Sequence, residues 1–274
     1  MIGDYDYIFP ITLSKKWGVT YFYPPLFHSY FSIFSSKTIT QEIQTEFFEA
    51  LNNYCSFYEF PFLPLNHFTF PTNVLVQPKV GQLIKLNNTS TIRHQKYTKH
   101  LIRNLKKSEP FNLRFEVNNN LIQEVVQTFK QNGGHKIKEL TPSSYEALTC
   151  FIQATISEEK GRIYACYSKD QLLAIGFFSF ANDRIIYHKG GNTSEGKKIS
   201  AMSALINHVL DSYSSCSFCF DFGGSSIPSI IKYNQSFGAE NHTFFTLKRT
   251  PYFIQSIKFL KKIISFKNRL AKTK

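Results

Sequence analysis

The chain has 274 residues, 42% of them hydrophobic and 19% charged, which is enough apolar surface for a buried core and too much for a disordered chain. Its 32 Lys and Arg against 19 Asp and Glu leave a net charge of +13. That balance suits an anionic partner: nucleic acid, a phosphorylated substrate or an acidic lipid surface.

Five cysteines stand at irregular spacing, which favours a reducing compartment. Cys216 and Cys219 form a C-x-x-C, but no second pair completes a zinc site, and no metal is expected. Residues 1–6 are acidic and lack the apolar region of a signal peptide. No run reaches the roughly 20 apolar residues of a membrane span. The expected location is cytoplasmic. The 28 Phe and 15 Tyr are read as core filling first.

In chain order, residues 7–13 and 19–23 read as strands joined by a turn at 14–18, and Pro24-Pro25 stops them. Residues 40–54 read as a helix with Ile43, Phe47, Leu51 and Tyr54 on one face and a threonine cap. Residues 58–65 and 73–86 hold strand-like runs broken by prolines. Residues 91–107 read as one basic helix, ended by Pro110. A strand at 112–117, a helix at 120–132 closed by Gly133-Gly134, and a helix begun by Thr141-Pro142 follow. Residues 161–168, 172–181 and 184–189 read as a meander. A polar loop at 194–198 leads to a helix at 200–213, a strand at 216–222, a short helix at 227–237 and a last strand at 242–247.

A meander that runs through a polar loop into a helix, then a strand, is an α/β transferase pattern. The helix start offers free N–H groups and the positive end of a dipole. Three stretches carry a family resemblance. The first is Phe9-Pro10-Ile11-Thr12-Leu13-Ser14-Lys15-Lys16-Trp17-Gly18, with Tyr21-Phe22-Tyr23-Pro24-Pro25. The second is Tyr97-Thr98-Lys99-His100-Leu101-Ile102-Arg103-Asn104-Leu105-Lys106-Lys107. The third is Phe222-Gly223-Gly224-Ser225-Ser226-Ile227-Pro228, through Lys232-Tyr233 to Phe237-Gly238-Ala239. Together they resemble the GNAT superfamily, in particular FemAB-like double-lobe acyl- or aminoacyltransferases of a kind common in Bacteroidota.

The resemblance implies an α/β (α+β) protein with two GNAT-like lobes, at 1–110 and 111–250. Mixed central sheets are flanked by helices, and a basic C-terminal helix lies at 251–274. It implies acyl transfer to an amine acceptor, on a cell-envelope precursor or a small metabolite. The donor is an acyl-CoA or an aminoacyl-tRNA. The alternative is a non-catalytic module that binds an anionic membrane surface or RNA.

The family's donor loop, Q/R-x-x-G-x-G/A, slides onto Lys197, Ser200 and Met202, which assigns donor binding to Lys197, Lys198, Ser200 and Ala201. Met202 puts bulk where backbone approach is expected. The family's late-helix acid position falls on Asn234, which can hydrogen-bond an oxyanion. Asp221, ending a strand beside two glycines, is the candidate carboxylate, with turn capping as its other role. Trp17, Tyr97, Arg103 and Ser225 are the acceptor-side candidates, and Ser225 also suits an N-cap. His188 is a lone candidate base. The helix with Arg93, Lys96, Lys99, Arg103, Lys106 and Lys107 suits phosphates or tRNA, or simply a solvated face. Residues 251–274 hold seven Lys or Arg and no acid around an apolar stripe. They suit either an anionic membrane surface or packing on the second lobe. Oligomeric state has no signature in the sequence.

Overall fold

Threonine is the recurrent helix start in this chain. Thr40, Thr89 and Thr98 each accept a backbone N–H three residues on, which satisfies donors a helix start leaves open. These caps define α1 (Gln41–Tyr54), α2 (Ser90–His94) and α3 (Lys99–Ser108). The computed structural model describes residues 1–16, 18–22, 24–64, 69–181, 183–225 and 227–251.

The chain divides into two compact units. The first comprises residues 1–79 with the chain from 243 on, and the second residues 80–242. The boundary expected at residue 110 falls within the second unit, in a 3-10 turn at Glu109–Phe111.

In the first unit α1 buries Phe47, Phe48 and Leu51 in an aromatic core with Phe9, Phe22, Phe31, Phe60 and Phe62. Tyr54, expected on that face, is 68% exposed. Strand β1 (Tyr7–Ile8) pairs with β4 (Phe34–Ser35), so the strand expected over 7–13 is only two residues long. The hairpin is made instead by β2 (Leu13–Lys16) and β3 (Val19–Phe22), with Gly18 at φ 77 in its turn. Strand β5 (Tyr58–Phe62) pairs with β12 (Glu240–Arg249) and tolerates Pro61.

The second unit holds a mixed sheet in the order β6-β11-β10-β9-β8-β7. Its strands are β6 (Leu75–Lys85), β7 (Arg114–Val117), β8 (Gly161–Ser168), β9 (Gln171–Ala181), β10 (Arg184–Asn192) and β11 (Cys219–Gly224). The meander β8-β9-β10 is as expected, and β10 runs three residues longer. Strand β6 passes through Pro78 rather than breaking there. Helices α4 (Ile122–Asn132) and α5 (Pro142–Ser157) supply one face: Phe151 of α5 meets Phe177 of β9. Phe178, pointing the other way, joins the core built by α7 (Ala201–Ser212). A strand covered on both faces reads as a continuous apolar run, and Leu173–Phe178 is one.

Two expectations change locally. The basic segment 91–107 is not one helix; it breaks between α2 and α3, and Tyr97 sits buried in the break. The polar loop 194–198 is a short helix, α6 (Ser194–Ile199), capped by Thr193.

Candidate functional site

Neighbouring strands of the sheet are antiparallel except β10 and β11, which pair parallel over only three residues: Arg184 with Cys219, Ile185 with Phe220, Ile186 with Asp221. Beyond that level both strands are irregular. On β10 the register against β9 shifts between Tyr187 and Lys189. On β11 the register against β6 shifts between Asp221 and Gly224, where Gly223 takes φ 69. Bulges bend strands and end pairing. Here they release the carboxyl ends of two parallel strands, with α6 and α7 leaving one and α8 (Pro228–Ser236) leaving the other. In open sheets with parallel strands, ligands bind at such an end.

Asp221 makes the bend on β11. The sequence offers it as a site carboxylate or a turn cap, and its side chain is fully buried. One oxygen accepts the Gly223 N–H at 2.8 Å, and the other accepts Arg184 Nη1 at 2.5 Å. His242 Nε2 lies 3.8 Å away. Burial alone raises its pKa, but His242 and Arg184 outweigh it and hold the carboxyl below its ordinary range. This carboxylate shapes the strand end and is closed to substrate.

Asn234 is 4% exposed and donates from Nδ2 to Gln82 Oε1 at 3.1 Å, so it points at β6. The neighbour on α8, Tyr233, turns the other way. Its hydroxyl shares a 3.3 Å hydrogen bond with Ser203 Oγ of α7. Burial pushes Tyr233 up to about 12, against a small opposing effect of Ser203, so the phenol keeps its proton at neutral pH. Tyr187 of β10, raised mainly by burial and further by nearby Tyr233, also stays protonated. Tyr187, Ser203 and Tyr233 therefore bring hydroxyls from β10, α7 and α8 to this end of the sheet. In the sequence the late-helix position falls on Asn234, and the adjacent Tyr233 is set aside because it points elsewhere on a helix. The signal that finds it is the direction set by Asn234 facing Gln82.

Lys197 and Lys198 are exposed on α6, and Lys198 binds Glu195 at 2.7 Å. Ser200 takes φ 61 between α6 and α7, and Ala201 is fully buried. Met202 turns its side chain into the core, away from the loop. Two first-turn donors of α7 are already used: Met202 N–H by Asn192 Oδ1 at 2.7 Å, and Ser203 N–H by Ser200 O at 2.9 Å. A phosphate seated there competes with Asn192, so this turn does not fit a pyrophosphate as it stands.

On the acceptor side, Ser225 accepts the Ile227 N–H at 3.1 Å, a turn-forming role just before α8. Trp17 lies outside the described residues. Arg103 is exposed on α3. Tyr97 lines a groove of about 690 Å³ with Ile102, Leu105, Phe115, Asn207 and Asp211. Its hydroxyl donates to Asn207 Oδ1 at 2.8 Å, and burial pushes it up to about 12.

His188 has a partner that the sequence did not reveal: Ser179 Oγ lies 2.7 Å from its Nε2. The imidazole is stacked on Phe177 and edged by Phe151. Ser179 is 8% exposed. The pair ties β9 to β10 beneath α5. Cys216 donates its thiol to Tyr213 O at 2.8 Å, and Cys219 opens β11. Among the described residues no helix is long and apolar enough to cross a membrane.

The family described as acetyltransferase (GNAT) domain matches residues 93–235, just over half the chain, and the protein belongs to it. The fold is shared with FemX at a TM-score of 0.57 and 8% identity, covering 87% of this chain and 88% of that one. L-PGS from Bacillus licheniformis aligns with a TM-score of 0.55 and 10% identity, over 93% and 86%. A conserved protein of unknown function from Bacteroides thetaiotaomicron VPI-5482 gives 0.51 and 8%, over 77% and 67%. No curated protein matches the chain.

Proposed function

We infer that this protein is an N-acyltransferase whose donor carbonyl lies at the separated ends of β10 and β11. The observation that carries this is the protonated Tyr233 hydroxyl, held by Ser203 where the two parallel strands part. The acceptor amine attacks the acyl carbonyl, the new C–N bond forms, and the bond to the donor's leaving group breaks. Tyr233 donates a proton to that leaving group and is reprotonated from water. The amine's own proton leaves to solvent. No covalent enzyme intermediate is needed. Ser203 orients the phenol, and Tyr187 and Tyr233 shield the centre from water.

The donor is an acyl-CoA or an aminoacyl-tRNA. Asn192 on the Met202 N–H favours the second, whose transferred ester needs no pyrophosphate on α7. The acceptor amine belongs to a cell-envelope precursor or small metabolite, held on the side of Tyr97 and the α3 groove. The first unit is read as a reduced lobe of the same kind. The protein works in the cytoplasm, with residues 251–274 meeting an anionic inner membrane face.

The same Asn192 contact supports a second reading, a GNAT-fold binding module whose donor seat is permanently filled. Incubating purified full-length protein with acyl-CoAs or charged tRNA plus a panel of amines, with products read by mass spectrometry, separates the two. Transfer of acyl mass supports the enzyme. A folded protein that transfers nothing across the panel overturns it.

A further inference from the structure

Arg93 is 3% exposed, and a guanidinium keeps its charge even there. Nη2 pairs with Asp211 and Nη1 donates to Ser214 Oγ at 2.9 Å, while the buried Nε has no hydrogen-bond partner among the described residues. Asp211 does not belong to Arg93 alone: it also takes His94 Nε2 at 3.0 Å and Asn207 Nδ2 at 2.8 Å. The charge of Arg93 is thus incompletely answered.

Arg93 also lines a pocket of about 140 Å³, apart from the groove on α3. Lys85, Lys96, Asn87, Asn88 and Glu240 line it too. Three cations meet one carboxylate. Glu240 lies 3.4 Å from Lys96 Nζ, but both side chains are more than half exposed, and such a pair contributes little. The asparagine side chains add neutral N–H donors. The wall is closed by Gly238 at φ 77, where a Cβ would stand 2.7 Å from Lys96 Cβ. Glycine at that point lets the end of α8 close on the lysine stem and fix it at the rim. The volume equals about four or five waters, room for one tetrahedral oxyanion and too little for a nucleoside.

We propose that this pocket is an anion seat for a phosphate group, with Lys85 and Lys96 as its exposed partners and Arg93 as a fixed buried charge. Buried charges are paired or they perturb the fold, and an oxyanion here completes the pairing. The seat lies on β6, α2 and the end of α8, and it is independent of the acyl-transfer reading.

The test titrates full-length protein with sodium phosphate at constant ionic strength, followed by calorimetry and by the rise in Tm. Lys85→Gln and Lys96→Gln alter exposed side chains and leave the unliganded Tm unchanged. Wild type is expected to bind saturably, and each variant roughly tenfold more weakly, the loss expected for one charge-assisted hydrogen bond. Lys138→Gln, an exposed lysine outside the pocket lining, is expected to bind as wild type does. Absence of saturable binding, or equal affinity in wild type, Lys85→Gln and Lys96→Gln, overturns the proposal. Glycerol 3-phosphate then separates the sources: competition shows that the seat takes a phosphate ester, and failure to compete shows a seat for the free ion.

Discussion

Asp221 stands beside two glycines at a strand end, a place where carboxylates often meet substrate. Here Arg184 and the Gly223 N–H take its oxygens, and none of the side chain is exposed. Because its pKa is held below the ordinary value, its contribution to stability is fully present above about pH 4, the unfolded value. It is lost as pH falls through the folded value. Asp221→Asn is expected to cost about 3 kcal/mol at pH 7, the low end for breaking a buried pair, since Arg184 is partly exposed. The gap between variant and wild type should close below pH 4. Urea unfolding at pH 7 and pH 3 measures it, and a gap that stays constant contradicts the assignment. At Tyr233 and Asn234 the difference is one of direction: adjacent helix positions are about 100° apart, so only one can face α7.

At the scale of elements, backbone approach decides more than side-chain identity. A Cβ at Gly196 would lie 1.9 Å from Leu173 O, so α6 rests directly on the β9 backbone. Gly196→Ala should cost about 2–3 kcal/mol through overpacking, seen as a lower Tm. Glu195→Ala, one residue away on the same helix, should change Tm little. Equal melting of the two variants would contradict the close approach.

The same scale shows what could be read in advance. Residues 120–132 and 161–189 carried strong signals: a glycine stop, a β-rich meander, short polar turns. The break at Tyr97 was hidden because the caps, Thr89 and Thr98, lie within a polar stretch that also fits helical spacing. The hairpin shifted because pairing register depends on cross-strand partners, which local alternation does not specify. The site was legible as a region, since Phe222-Gly223-Gly224 marks the bend. It was not legible by residue, because pairs such as Ser203–Tyr233 and Ser179–His188 form only when separate elements meet.

Across the whole molecule, the net charge of +13 is concentrated on α2–α3 and in residues 251–274. Lys99, Arg103, Lys106 and Lys107 make no ion pair among the described residues. Full-length protein is therefore expected to sediment with vesicles containing anionic lipid and to be released by salt, the attraction being about 1 kcal/mol per basic residue near the surface. Deleting residues 252–274 should abolish sedimentation while leaving the melt of the remaining chain intact. Equal sedimentation of the two proteins would contradict a membrane role for the tail.

The central claim is that acyl transfer takes place beside Tyr233. It is tested most directly by the single-turnover transfer rate of Tyr233→Phe against wild type, with Tm measured on both. Loss of the phenolic proton should slow transfer about 10²-fold, the lower range for a positioned acid, with Tm nearly unchanged. A Tyr233→Phe variant that transfers as fast as wild type would contradict the account.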